Sequence, residues 1–433
     1  MTATPGTAPR HGQPGRAHPA GAANRRHDGA SKGERTDRVR LADRSLPLFL
    51  LRERAAEYSA LFARARAEVG HGLCLCRTPA LRLVIRCSRA GRYHLAGWPG
   101  EGELHDAGCG FHKLASELTG RDVYSTEAIH EGDNGVAIRL TAALARKLSA
   151  PESPAAPEQC DGPARRSVGL LGLLHWLWEE AQLTAWHPHW RRRTWWVCHT
   201  RLHDQITGCS INGEELVGAL YVVPPFRKEY ARRNTALFET FRIARLARRG
   251  DTQRRGLILG EIKAIITTPY GVRYKLAHHH GALFATRALD ERLRRSYRPA
   301  FSDAAERHGA RRIGLFLVEL SPKGNITVVD MAAMLVSNHY IPADSSYEVA
   351  MANALTAARR AYVKPVRYDA NDLVFPDFVL TDTDPHAFVE VYGIHGREAY
   401  DQRKRVKQAH YQRQGAGLIE WDVSGPIPDV RRR

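Results

Sequence analysis

The spacing of apolar residues predicts alternating helices and strands through the middle of the chain. Leucine and tryptophan recur at helical spacing in "VGLLGLLHWLWEEAQL", which predicts a helix. Four later runs have the short, apolar character of strands: "ELVGALYVV", "GLILGEIKAII", "IGLFLVEL" and "NITVVDMAAML". Together they predict a mixed α/β domain over residues 168–343.

The pattern changes on both sides of this domain. Residues 1–45 carry almost no large apolar side chains and predict a disordered basic tail. Residues 46–148 begin with a leucine-rich stretch that predicts one amphipathic helix from about Leu46 to Ala67. Residues 149–167 are rich in proline, alanine and glutamate, which predicts a linker.

A second α/β pattern fills residues 344–433. It predicts a helix over 346–362, strands near 374–380 and 387–394, and a basic helix over about 396–413. The run "GLIEWDV" predicts a closing strand. The chain is therefore expected to be mixed α/β, with a disordered tail and a separate C-terminal domain.

Two acidic residues interrupt the apolar strands of this last domain. Asp377 lies in "LVFPDFVL" and Glu390 lies in "AFVEVYGI". Burying an isolated carboxylate is costly, but two carboxylates at one edge of a sheet can share a divalent cation. Mg²⁺ binds a few carboxylates together with phosphate oxygens, as phosphodiester hydrolysis requires. The pattern predicts a Mg²⁺ or Mn²⁺ site at Asp377 and Glu390.

The same string resembles the PD-(D/E)xK nuclease superfamily, which has the restriction-endonuclease-like fold. The matching residues are Pro376, Asp377, Phe378, Glu390, Gly393, Tyr400, Lys404 and Lys407. The resemblance covers residues 344–425. It implies that Asp377 and Glu390 hold the metal and that Lys404 or Lys407 orients the attacking water. It also implies that Glu348, on the preceding helix, orients a water molecule on the metal.

One departure from that superfamily leaves several interpretations open. Tyr392 occupies the position where the superfamily usually has its lysine. The domain is therefore an active nuclease, a nuclease-like module that only binds, or an unrelated α/β domain in which Glu390 pairs with an arginine. A further acid pair, Asp251 and Glu261 with Lys263 nearby, is an alternative site.

Clustered cysteines predict a metal centre in the N-terminal region. "HGLCLCR" supplies Cys74 and Cys76, and "ELHDAGCGFH" supplies His105 and Cys109. Three thiolates and one imidazole form a tetrahedral structural zinc site, and a hairpin between the two motifs would close it. His112 is an alternative to His105.

Composition narrows the class of partner. The net charge of +18 and the sequence pI of about 9.9 favour DNA or RNA as a partner. No apolar run approaches the roughly 20 residues that span a bilayer, so no membrane association is expected. Seven clustered cysteines and the lack of a secretory signal favour the cytoplasm.

Six of the eight tryptophans lie in "HWLWEEAQLTAWHPHWRRRTWW". They either pack into the core or, with the adjacent arginines, stack on single-stranded bases.

The chain as a whole resembles a family of bacterial proteins of unknown function carried on mobile elements. The matching parts are Cys74, Cys76 and Cys109, "LLHWLWEEAQL", "LGEIKAI" and "AYVKPVRYDANDL". This resemblance implies a nucleic-acid-binding or nucleic-acid-processing role in a mobile element, with other mobile-element proteins as possible partners. The rival hypothesis is an inactive, zinc-containing scaffold for protein contacts.

Overall fold

The computed structural model of the chain describes residues 37–87, 91–114, 128–132, 135–148, 167–190, 192–366, 376–393, 398–413 and 415–432. The predicted tail up to residue 36 and the predicted linker up to residue 166 lie outside these residues. Residues 35–433 form one compact unit. The described backbone is mixed α/β, as the sequence predicted.

The described strands are β1 Arg38–Leu41, β2 Arg44–Pro47, β3 His71–Cys74, β4 Leu81–Cys87, β5 Tyr93–Gly97, β6 Ile129–Gly132, β7 Gly135–Ile138, β8 Ala145–Lys147, β9 Ala185–Trp186, β10 Ser210–Ile211, β11 Glu214–Glu215, β12 Leu220–Val222, β13 Thr252–Thr268, β14 Gly271–Leu276, β15 Ala282–Ala285, β16 Arg311–Leu320, β17 Ile326–Val336, β18 Pro342–Ala343, β19 Tyr362–Val363, β20 Phe378–Leu380, β21 Ala387–Tyr392 and β22 Leu418–Asp422.

The described α-helices are α1 Leu48–Glu53, α2 Ser59–Glu68, α3 Leu170–Glu180, α4 Trp195–Ile206, α5 Leu216–Ala219, α6 Ala231–Phe241, α7 Arg287–Ser296, α8 Arg298–Phe301, α9 Ser346–Ala357 and α10 Glu398–Arg413.

The first sheet differs from the prediction for residues 38–67. Its strand order is β2-β1-β3-β4-β5, and all neighbours are antiparallel. Val39 and Leu41 are fully buried in it, so the ordered chain begins before residue 45. The single helix predicted from Leu46 to Ala67 is wrong. Leu46 lies in β2, and the remainder forms two helices, because the backbone leaves the helical region at Arg54.

The central sheet closes on itself. β13 pairs with β14, β14 with β15, β15 with β17, β17 with β16, and β16 again with β13. The 17-residue strand β13 allows this closure because its first half pairs with β16 and its second half with β14. The strands predicted from three of the four central apolar runs are present. In the fourth, "ELVGALYVV", a short helix separates β11 from β12.

The C-terminal elements are α9, β19, β20, β21, α10 and β22, which contain the predicted helix, two strands, basic helix and closing strand in the predicted order. The prediction of a helix to residue 362 is wrong, because α9 ends at Ala357 and Tyr362 begins the unpredicted strand β19. β19, β20 and β21 are antiparallel neighbours, and β22 lies parallel to β21. Helix α9 packs on one face of this sheet, where Met351 and Leu355 join Phe378 and Val389 in one apolar cluster.

A strand from another part of the chain completes this C-terminal sheet. β9 pairs antiparallel with β19, so that Trp186 lies opposite Tyr362. Arg193 fixes the backbone around β9, because its buried guanidinium donates to the carbonyl oxygens of Leu183 and Ala185. The central and C-terminal regions therefore share a sheet.

The tryptophan-rich segment lies mainly in the core. Trp176, Trp178, Trp186 and Trp195 are buried, whereas Trp196 is 42% exposed. The packing interpretation is therefore confirmed for those four residues. Within the described residues, no helix is long and apolar enough to cross a membrane.

Replacement of Trp178 by alanine should lower the free energy of unfolding by roughly 3–5 kcal/mol. The indole is fully buried and donates to the Tyr340 carbonyl oxygen at 3.0 Å. Denaturant unfolding followed by circular dichroism measures the loss. Trp196→Ala is the matched control and should change the free energy by no more than about 0.5 kcal/mol. Equal losses in the two variants would contradict the assignment of Trp178 to the core.

Candidate metal centre and carboxylate–lysine site

The predicted cysteine and histidine ligands lie together. One ligand atom from each of Cys74, Cys76, His105 and Cys109 lies within 4.8 Å of the others. The sulfur atoms of Cys74 and Cys109 are 3.5 Å apart, and Nδ1 of His105 is 3.3 Å from the sulfur of Cys76. Tetrahedral zinc places neighbouring ligand atoms roughly 3.5–3.8 Å apart. The four residues can therefore hold a metal ion such as zinc.

The local fold supplies the ligands from two directions. β3 ends at Cys74, and the chain bends so that Cys76 follows two residues later. A tight turn brings in Cys109, whose backbone N–H donates to the Asp106 carbonyl oxygen at 2.7 Å. The predicted hairpin between the two motifs is present as β4 and β5.

Among the described residues, the group of closely spaced ligand atoms contains His105 and not His112. The Nδ1 atom of His112 lies 3.2 Å from the backbone carbonyl oxygen of His105.

The thiols are strongly coupled. Cys74 and Cys76, together with burial, raise the pKa of Cys109 far above its usual value. The Cys109 and Cys74 thiols donate to Cys76 and lower its pKa. Three ionised thiolates cannot share so small a volume without a compensating cation. The donor set is thus suited to a divalent metal, which binds thiolates and displaces their protons.

The second site lies on the C-terminal sheet. Asp377 directly precedes β20, and its backbone N–H donates to the Val389 carbonyl oxygen at 3.1 Å, which brings Asp377 beside Glu390 of β21. Like charges so close together are destabilising. Burial and the Asp377 carboxylate raise the pKa of Glu390 to about 7.

Helix α10 covers one face of this sheet and neutralises the acids. Lys407 Nζ lies 2.7 Å from one Glu390 oxygen, and the Tyr411 hydroxyl donates to the other at 2.7 Å. Asp377 accepts from the backbone N–H of Val391 at 2.7 Å. Glu390 is only 1% exposed, so these contacts replace the water that its carboxylate loses.

A buried lysine that the sequence analysis missed lies on the other face of the sheet. Lys364, 2% exposed, directly follows β19 and lies 2.9 Å from carboxylate oxygens of Glu348 and Asp344. Burial opposes its charge, but Asp344, Glu348 and Asp377 together raise its pKa. Asp377 therefore acts electrostatically on both faces. The sequence does contain a signal for this buried lysine, because Lys364 ends the apolar run "AYVKP".

Some of the predicted site residues contact each other, and others do not. Lys407 contacts Glu390 directly, whereas Lys404 Nζ lies 4.1 Å from the ring centroid of Tyr392. Glu348 pairs with Lys364 rather than with Asp377 or Glu390. Among the described residues, the three acids do not form a group of closely spaced potential metal ligands like that of the cysteine cluster.

A small cavity of about 20 Å³, with room for about one water molecule, lies between Lys364 and the N-terminal region. His112, Lys113 and Leu114 line one side, and Glu179 lines another. Lys113 pairs with Glu180 at 2.7 Å, which ties the segment after the cysteine cluster to α3.

Leu114 belongs to the apolar cluster of the C-terminal sheet, together with Val379, Phe388 and Tyr411. The chain segment from Cys109 to Leu114 therefore connects the two candidate sites.

The alternative acid pair does not form a site. Asp251 precedes β13 and Glu261 lies far along it, so roughly 30 Å of extended strand separates them. Glu261 is paired with Arg311 and accepts a hydrogen bond from Tyr340. Both contacts are structural, and this alternative is wrong.

Comparison with known families identifies the chain at the level of family. Residues 49–424 match the family described as protein of unknown function (DUF1173), and the chain belongs to it. Comparisons with curated proteins and with solved structures found no match.

Purified protein should contain about one zinc ion per chain, because four protein ligands complete one tetrahedral site. Elemental analysis of the wild type beside Cys76→Ser tests this, and the variant should retain far less zinc. Cys87→Ser is the matched control, since Cys87 lies on β4 outside the ligand group. Equal zinc in wild type and Cys76→Ser, or none in either, would contradict the site.

Replacement of Lys364 by methionine should destabilise the fold by roughly 3 kcal/mol, because it leaves buried carboxylates without their cation. The double variant Lys364→Met/Glu348→Gln should recover part of that loss. Denaturant unfolding measures both. Arg292→Met, which removes an exposed ion pair with Asp330, should leave the midpoint unchanged. No difference between Lys364→Met and this control would show that Lys364 does not neutralise the acids.

Proposed function

We propose that the chain is a divalent-metal-dependent nuclease whose catalytic residues are Asp377, Glu390 and Lys407, with Glu348 and Lys364 as positioning residues. The observation that carries the proposal is that two buried carboxylates, Asp377 and Glu390, lie beside each other where the backbone before β20 bonds to β21. A stable sheet has no need of two neighbouring buried carboxylates, which repel each other. Destabilising charge clusters of this kind are typical of functional sites.

The order of the C-terminal elements supports the same proposal. The resemblance to the PD-(D/E)xK superfamily implies a helix before the strands that carry the acids, a basic helix after them and a closing strand, and α9, β20, β21, α10 and β22 follow this order. Asp377 directly precedes β20, and Glu390 lies within β21. Lys407, on the second helix, extends to Glu390 and compensates for the lysine that Tyr392 replaces.

The donor atoms at this site suit Mg²⁺ or Mn²⁺, which bind carboxylate oxygens. When bound, the cation would polarise the scissile phosphate and offset the charge that develops on it. Both Glu390 oxygens are engaged by Lys407 and Tyr411, so Lys407 must move away from Glu390 when the site is loaded. Its ammonium is then free to stabilise phosphate oxygens.

The remaining residues prepare the site. Lys364 stays charged and holds Glu348 and Asp344 in place beside Asp377. Glu390, whose pKa is raised to about 7, can accept a proton near neutral pH.

The wider role that we propose is nucleic-acid processing in a bacterial mobile element, in the cytoplasm. The net charge of +18 supports an anionic substrate, because phosphates are the charges that such a surface attracts. The Cys74–Cys76–His105–Cys109 group holds a structural zinc ion in this proposal. All four ligand positions come from the protein, so none remains open for a substrate.

One observation favours a second candidate, an inactive nuclease-like scaffold. Lys404 stacks on Tyr392, and the Tyr392 hydroxyl donates to Glu420 at 3.0 Å. Tyr392, which occupies the position of the usual lysine, is therefore held in place by Lys404 and Glu420.

The decisive measurement is cleavage of labelled single- and double-stranded DNA and RNA with added Mg²⁺ or Mn²⁺. Wild type should cleave, and Asp377→Ala and Glu390→Gln should lose activity by at least about a hundredfold, as when a group that stabilises the transition state is removed. Asp429→Asn changes an exposed carboxylate and should cleave as wild type does. Undiminished cleavage by both site variants would place the activity elsewhere. No cleavage by wild type with either metal would favour the scaffold.

A further inference from the structure

Exposed aromatic and cationic side chains lie together where α4 begins and where the chain leaves β12. We call this surface the aromatic–basic patch and define it as Trp196, Phe226, Arg227, Lys228, Tyr230, Arg232 and Arg233. The Arg227 guanidinium lies 4.9 Å from the Trp196 ring centroid, and the Tyr230 ring lies 6.2 Å from the same ring. The Phe226 ring stands edge-on to His280 at 5.2 Å.

The aromatic rings of the patch remain open to solvent. Trp196 is 42% exposed and Phe226 is 41% exposed, whereas four other tryptophans of the same segment are buried. A rigid indole left at the surface beside arginine offers a flat face for another ring. Exposed apolar surface with a polar rim is typical of a contact site.

Within the part of the chain that the structure describes, the cations of the patch have no acidic partner. Arg227, Lys228, Arg232 and Arg233 form no ion pair with any described residue. Other arginines are neutralised, as Arg360 is by Asp382. Glu229 is the one acidic residue in the segment "FRKEYARR", which therefore carries a net charge of +3. This unbalanced charge complements a polyanion.

We propose that the aromatic–basic patch binds single-stranded nucleic acid, with bases stacked on Trp196 and Phe226 and phosphates contacted by the four cations. The inference rests on the proposed nuclease function and names the strand form that it takes as substrate. Aromatic faces stack on bases only when those bases are unpaired, whereas a duplex buries them. The basic side chains supply the sequence-independent attraction to the phosphates.

The arrangement of the patch favours nucleic acid over an anionic membrane surface. Membrane-surface helices carry their cations and their large apolar side chains on opposite faces. Here the Arg227 guanidinium lies directly over the Trp196 ring, so cation and aromatic face the same space. Leu237 and Ile243 are also exposed nearby along the chain, and a lipid arm in the test therefore decides the matter.

The test is equilibrium binding of labelled oligo(dT) of about 20 nucleotides, longer than one typical single-strand site, to the full zinc-containing chain without added Mg²⁺. Trp196→Ala should weaken binding at least about fivefold without changing its salt dependence, because stacking involves no charge. Trp196→Phe should restore most of the affinity. The triple variant Arg227→Ala/Arg232→Ala/Arg233→Ala should reduce the log–log salt slope by about two units.

The control is Tyr270→Ala. Tyr270 is 98% exposed in the turn between β13 and β14, outside the patch, and its loss should leave binding unchanged. Equal binding by wild type and Trp196→Ala would overturn the proposal, as would equal affinity for oligo(dT) and for a duplex of the same length. Binding of phosphatidylserine vesicles that depends on Trp196, with no binding of oligo(dT), would assign the patch to a membrane instead.

The outcome is separable from that of the nuclease test. Asp377→Ala should abolish cleavage and still bind oligo(dT) as wild type does, since Asp377 lies outside the patch. If the wild type binds oligo(dT) through Trp196 but cleaves no substrate, the patch proposal is supported and the nuclease proposal is contradicted. If the wild type cleaves but Trp196→Ala does not change oligo(dT) binding, the nuclease proposal is supported and the patch proposal is contradicted.

Discussion

Ion pairing between lysine and buried glutamate is the interaction on which the C-terminal sheet depends. Glu390 and Glu348 are almost fully excluded from water, and their partners Lys407 and Lys364 come from α10 and from the end of β19. An unpaired carboxylate in such a position would cost several kcal/mol. The positions of the strand end and of both helices therefore depend on these charges, and the sheet can bury its acids because lysines neutralise them.

The segment that follows the cysteine cluster packs beside the carboxylate site. The segment that follows Cys109 reaches Leu114, which packs beside Tyr411, and Tyr411 holds Glu390. A ligand group that fixes Cys109 thus also fixes one wall of the carboxylate site. A metal ion held by this ligand group would therefore also support the carboxylate site, because displacement of the segment would loosen the packing behind the acids.

The order of the C-terminal elements and the ligand group at Cys74, Cys76, His105 and Cys109 could be predicted from the sequence, since periodicity and ligand spacing are local signals. Lys364 could not, because nothing in the sequence shows which face of the sheet α9 covers. The break in the predicted helix near Arg54 was also missed, because the helical spacing of apolar residues continues across it. The first residues of the predicted helix instead form β2, which pairs with β1 in a hairpin.

Strand β9 has a consequence for biosynthesis. Trp186 is added to the chain 176 residues before Tyr362, its partner across the sheet. At about 5–20 residues per second, some 9–35 s pass between the two events. During that interval the hydrogen-bonding edge of β9 lacks its native partner strand β19. The neighbouring residues Trp190 and Arg193 also lack their native surroundings. Expression conditions that slow translation should therefore lengthen the exposure of this segment to chaperones and proteases.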